Sequence, residues 1–124
     1  MFELSKSFTF EAAHTLRRKV EAASSRRIHG HSYHAEVAIR GERDEHGMVL
    51  DLTIFTRAIE KARAQLDHHF LDEVDGLGPA TIENLSAWIW TFLEPSCPGL
   101  ARVSVWRPSS GDRCTYYGPE GAAK

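Results

Sequence analysis

Cysteine is scarce in this chain: Cys97 and Cys114 are the only two, and no Cys-x-x-Cys pair occurs. A zinc-finger framework is thereby excluded, and two thiols without a secretory context fit a reducing compartment in which a disulfide is not expected. No apolar run approaches the roughly 18 residues that a membrane helix needs. Basic charge is not in excess either. The formal net charge of −2 gives no reason to expect nucleic acid as a partner. The start, Met1-Phe2-Glu3-Leu4-Ser5-Lys6, lacks the charged segment and apolar core of a secretory signal, so a cytoplasmic location is expected. Internal repeats and low-complexity segments are also missing. What remains is a chain of 124 residues, 42% hydrophobic and 26% charged, which is the composition of one globular domain over residues 1–124.

Histidine is the informative residue. In His29-Gly30-His31 the i, i+2 spacing puts both rings on one face of an extended chain, because side chains alternate with period two. Such a pair alone is more often solvated than ligating. His14, however, closes the preceding alternating run and can reach the same face if the two segments pair. Three imidazoles with a fourth position open is the ligand count of a catalytic zinc, so His14, His29 and His31 are the candidate metal ligands.

Phe2, Leu4, Lys6, Phe8 and Phe10 alternate with polar residues, which predicts a strand from Phe2 to His14. A second alternation sets His29, His31, Tyr33, Ala35, Val37 and Ile39 on one face and predicts a second strand. Thr15 to Ile28, polar and basic without periodicity, reads as a loop beside the metal. Asp51 stands as N-cap before Ile54, Phe55, Ala58, Ile59, Ala62 and Leu66 at helical spacing. Thr81 caps a second helix with Ile82, Leu85, Trp88, Ile89 and Phe92 as its apolar stripe, ending before Pro95. Val103, Val105 and Arg107 alternate with Ser104 and Trp106, and Cys114 to Tyr117 again reads as extended. Cys97, beside Pro98-Gly99, is expected at a surface turn. The order ββααββ predicts an α+β fold, with helices on one face of the sheet.

The runs Phe8-Thr9-Phe10-Glu11-Ala12-Ala13-His14, His29-Gly30-His31-Ser32-Tyr33, Val49-Leu50-Asp51, Leu66-Asp67-His68-His69-Phe70-Leu71 and Thr81-Ile82-Glu83-Asn84-Leu85 resemble the 6-pyruvoyltetrahydropterin synthase family. The length is closest to its bacterial 6-carboxytetrahydropterin synthases of queuosine biosynthesis. The resemblance implies a tunnelling fold: an antiparallel four-stranded sheet joins two others in a trimeric barrel, two trimers stack as a homohexamer, and active sites lie between subunits. It implies 7,8-dihydroneopterin triphosphate as substrate and Zn2+ on His14, His29 and His31. Asp67 and His68 match the family's proton-transfer pair, Asp67 fixing the tautomer of His68; read without the resemblance, Asp67 ends a helix while His68 and His69 sit at a solvated turn. Thr81, Glu83 and Arg27 join Arg107 as the residues set toward the substrate.

Two departures stand out. Ser25 occupies the place of the catalytic cysteine, and a serine hydroxyl needs an adjacent base to lose its proton. Arg107 occupies the place of the Glu that anchors the pterin through its amino and ring N–H groups, yet a guanidinium offers only donors; Asp112 can fill that role if the alignment shifts. Two functions follow. One is a zinc-dependent lyase acting on 7,8-dihydroneopterin triphosphate or a related pterin or pyrimidine phosphate. The other is a catalytically silent paralogue that binds zinc and a small anionic ligand.

Overall fold

Alternation in the two long strands sets the architecture. A computed structural model describes residues 1–15 and 28–119. Strand β1 (Phe2–His14) is followed by β2 (His29–Gly41), helix α1 (Leu52–Leu66), a single 3-10 turn (Leu71–Glu73), helix α2 (Ile82–Leu93), β3 (Leu100–Arg107) and β4 (Asp112–Tyr116). The strands form one antiparallel sheet in the order β1-β2-β3-β4, which is the expected ββααββ arrangement. No helix among the described residues is long and apolar enough to cross a membrane.

The inward face carries Phe8, Phe10, Tyr33, Ala35, Val37, Ile39, Val103 and Val105, packed against Phe55, Ile59 and Leu66 of α1 and Leu85, Ile89 and Leu93 of α2. The opposite face is polar. There Arg102 donates to both Glu36 and Glu3, Arg40 donates to Glu3, and Ser104 meets Thr115.

Both helix starts are capped as the sequence suggests. The Asp51 carboxylate accepts from Thr53 N, and Thr81 Oγ1 accepts from Asn84 N, each satisfying a donor that the first helical turn leaves free. The buried faces differ in detail. Ile54 is 49% exposed. In α2 the core takes Leu85, Ser86, Ile89, Trp90 and Leu93, while Trp88 and Phe92 stack on each other at 5.2 Å with Phe92 exposed.

Cys97 corrects a further expectation, because it is fully buried rather than at the surface. Its N–H donates to Leu93 O, and its carbonyl accepts from Leu100 N, so the Cys97-Pro98-Gly99 turn folds inward. Gly99 permits this: at φ 79° a Cβ would lie 2.4 Å from the carbonyl oxygen of Arg40. Burial pushes the Cys97 thiol above its ordinary range.

The outer edge of β1 is sealed along its second half. Arg63 Nε donates to Thr9 O, and Asp67 Oδ1 accepts from Glu11 N. His68 N donates to Glu11 O, and Ala13 N donates to His69 O. Asp72 then accepts from both the backbone N–H and the hydroxyl of Thr15, fixing the chain just after His14.

Candidate metal centre and substrate pocket

Strand pairing assembles the histidine cluster. His14 and His29 are direct partners across β1 and β2, and His31 lies two residues along on the same inward face. The rings sit 4.5 Å (His14–His29), 5.0 Å (His14–His31) and 4.9 Å (His29–His31) apart between centroids. One ring nitrogen from each lies within 4.8 Å of the others.

Both ring nitrogens of His14 and Nε2 of His31 are buried without a hydrogen-bond partner among the described residues. A buried polar atom left in this way costs about 1–3 kcal/mol, and coordination of a cation satisfies it. The electrostatics favour the ligating form. Burial, then the neighbouring His29 and His31, push His14 down to about 4, against the opposing pull of Asp72. Burial, then the Arg107 guanidinium and His29, hold His31 below its ordinary value. A neutral imidazole keeps the lone pair that a metal requires. The cluster is therefore consistent with a metal site. Tyr33 lies beside it, 5.6 Å from His31, with its hydroxyl buried and unpartnered and its pKa pushed up to about 12 by burial.

The three histidines share a pocket of about 480 Å³ with Thr81, Glu83, Arg107, Asp112 and Arg113. Thr81 and Glu83 reach it from the capped start of α2. Arg107 and Asp112 reach it as direct partners across the β3–β4 hairpin. Arg107 Nη2 donates to Asp112 Oδ2 at 2.7 Å, and Ser110 Oγ donates to the same oxygen at 2.8 Å. Those two donors hold the Asp112 carboxyl below its ordinary value. Arg107 Nε is buried with no partner among the described residues.

Asp67 and His68 are also brought together, but elsewhere. Asp67 Oδ2 lies 2.9 Å from His68 Nδ1 and 3.1 Å from Arg63 Nη2, so Asp67 ends α1 through its backbone N–H to Arg63 O and orients the imidazole with its carboxylate. His68 has φ 58° and a side chain 79% exposed. It lines a second cleft of about 460 Å³ with Glu11, Ser32 and His69, and among the described residues that cleft shares only His31 with the first pocket. Ser25 and Arg27 lie outside the described residues. Asp72, Tyr33 and Arg113 were not legible as site residues; Asp72 in particular reaches Thr15 only because the 3-10 turn folds back along β1.

Comparison with known proteins fits this geometry. The family model for 6-pyruvoyl tetrahydropterin synthase matches residues 3–119. A 6-carboxy-5,6,7,8-tetrahydropterin synthase from Synechocystis is 36% identical over 96% of this chain and 95% of its own length. A dihydroneopterin monophosphate aldolase from Pyrococcus furiosus is 31% identical over 79% of this chain and 82% of its own. In fold, the chain superposes on the Caenorhabditis elegans 6-pyruvoyl tetrahydropterin synthase with a TM-score of 0.82 at 24% identity, covering 94% and 95% of the two chains. A match that runs through the histidine strands, the Asp67–His68 turn and the Arg107 hairpin makes this chain a member of the 6-pyruvoyl tetrahydropterin synthase family.

Proposed function

We propose that the protein is a zinc-dependent pterin lyase of the 6-carboxytetrahydropterin synthase type, acting on 7,8-dihydroneopterin triphosphate in the cytoplasm within queuosine biosynthesis. The observation that carries this reading is the convergence of His14, His29 and His31 on the wall of a pocket of small-molecule size, where both ring nitrogens of His14 and Nε2 of His31 find no hydrogen-bond partner among the described residues. Zinc held there would polarise the substrate's side-chain oxygens and make the adjacent C–H bonds more acidic. His68 would move those protons: its Nδ1–H is held by Asp67, which leaves Nε2 as the base. Thr81, Glu83 and Arg107 line the pocket, Arg27 is read as a further substrate contact, and Ser25 stands where the family has its catalytic cysteine. Ser25 would act through a neighbouring base.

His68 opens on a different cleft from the one that holds Arg107 and Glu83. That separation supports an assembly in which the proton-transfer pair of one subunit serves the pocket of its neighbour, as in a homohexamer built from two trimeric barrels. The direct test is release of inorganic triphosphate from 7,8-dihydroneopterin triphosphate by the zinc-loaded protein, with native mass measured on the same preparation. Turnover that disappears in His31→Ala supports the reading. Arg107 at the place of the family's Glu favours a second reading, a silent paralogue. Tight ligand binding without triphosphate release would establish it.

A further inference from the structure

The pocket presents a donor beside an acceptor where two acceptors would be needed to hold an amino group and a ring N–H together. Arg107 and Asp112 are register partners at the end of the β3–β4 hairpin. The hairpin is closed by Ser110 N and Gly111 N donating to the carbonyl of Arg107. Both side-chain donors to Asp112, from Arg107 and Ser110, converge on Oδ2, which leaves Oδ1 as the acceptor available to a ligand. Arg107 retains guanidinium donors beyond the one given to Asp112. The pair is also close to neutral as a unit. Asp112 offsets the Arg107 charge, as Glu83 offsets that of Arg113 in the same pocket, so the edge matches a neutral ring edge with a carbonyl next to an N–H better than a free carboxylate or phosphate.

We infer that Arg107 and Asp112 act together as a donor–acceptor edge that binds the lactam side of a pteridine ring, Arg107 donating to the carbonyl and Asp112 accepting from the ring N–H. This rests on the pterin reading above and extends it to ligand choice. An edge of this kind makes no use of the exocyclic amino group. The protein therefore accepts 2-amino and 2-oxo pteridines alike, because selectivity of this kind comes from which polar groups a site leaves unpaired. Arg107 and Asp112 are specificity-determining residues, and the hairpin hydrogen bonds hold them in place before the ligand arrives.

The test is calorimetric titration of the zinc-loaded protein with 6-hydroxymethylpterin and with 6-hydroxymethyllumazine, which differ in an amino group against an oxo group at one ring carbon. The two dissociation constants should agree within about threefold. Arg107→Ala and Asp112→Ala should each weaken both ligands by about tenfold or more, a loss of the size expected for one hydrogen bond to a charged partner. Arg107→Glu should restore a preference for the amino compound. A preference of about tenfold or more for the pterin in the unmodified protein overturns the inference while leaving the pterin reading intact, as does unchanged affinity in Arg107→Ala. Binding of neither compound overturns the pterin reading and this inference with it. If a variant does not fold, judged by circular dichroism and zinc content, the ratio of the two ligands on the unmodified protein decides alone.

Discussion

The His14–His29–His31 cluster sits on the inward face of the β1–β2 pair, and the Asp67–His68–His69 turn attaches to the outer edge of β1. The inward group is held by strand register, with His14 at 1% exposure and kept neutral by burial. The edge group hangs on a residue with φ 58° and a ring that is 79% exposed. The two settings suit different chemistry. A metal ligand has to be neutral and immobile, and burial between paired strands supplies both. The ring of His68 is open and takes its orientation from one carboxylate, the setting that the proposed proton carrier would need. Left-handed backbone at a non-glycine residue costs about 1–3 kcal/mol and persists where surrounding bonds impose it. Here the bonds from Asp67, His68 and His69 to β1 do so.

The contrast breaks most sharply at the metal. His31→Ala should take zinc from about one per chain to none, because two imidazoles fall short of the three protein ligands a site of this kind needs. Elemental analysis of the purified variant measures it, and full occupancy would overturn the ligand assignment. Next in size is His68→Ala. It should lower kcat about 10²- to 10³-fold, the usual contribution of a general acid or base, with zinc content and thermal midpoint unchanged. Loss of zinc in that variant would show that the two regions are not independent.

Asp67 sharpens the comparison through pH. Its carboxyl is lowered from 3.8, first by the Glu11 backbone N–H and then by His68 and Arg63. A lowered folded-state pKa means that the stabilisation is complete above the unfolded value and fades as pH falls through the folded one. Asp67→Asn should therefore cost about 1 kcal/mol at neutral pH, and its urea midpoint should converge on that of the unmodified protein below pH 3.8. A gap that persists in acid would mean the carboxylate's charge is not the cause. The smallest effect concerns backbone strain. His68→Gly should leave stability within about 0.5 kcal/mol, since relief at positive φ offsets the added freedom of the unfolded chain. His68→Val should lose about 1–2 kcal/mol, read from denaturant midpoints.

The parts of this molecule governed by local rules were legible in its sequence. Period-two alternation fixed both long strands and the shared face of the three histidines, and Asp51 and Thr81 marked their helices because a cap is a matter of a few adjacent residues. The face of α2 was not, since Ile82-Glu83-Asn84-Leu85-Ser86-Ala87-Trp88-Ile89-Trp90-Thr91-Phe92-Leu93 is apolar nearly all round and periodicity cannot choose between Trp88 and Trp90. Packing against β3 and β4 chose Trp90, which meets Tyr116 edge-on at 5.6 Å. Cys97 was misjudged because Pro98-Gly99 signals a turn but not which way it folds. The Asp67–His68 pair carried two readings in the sequence: Asp67 does end the helix and its carboxylate does meet the ring, while proton transfer by the pair is a matter for the kinetic test above.

The sealed half of the β1 edge acts as a register stop for any strand laid beside it. Successive residues of an antiparallel strand turn their peptide groups alternately to either neighbour. Thr9 O, Glu11 and Ala13 N are already engaged on the outer side, so Glu3, Ser5 and Ser7 carry the groups left to pair there. An added strand finds about six residues of track, Phe2 to Ser7, before the Arg63 guanidinium blocks its path. At the far edge of the sheet, β4 runs for five residues, Asp112–Tyr116. The two open stretches are close in length, and the contacts that tie Asp67 and His68 to β1 would stop an added strand from slipping toward His14.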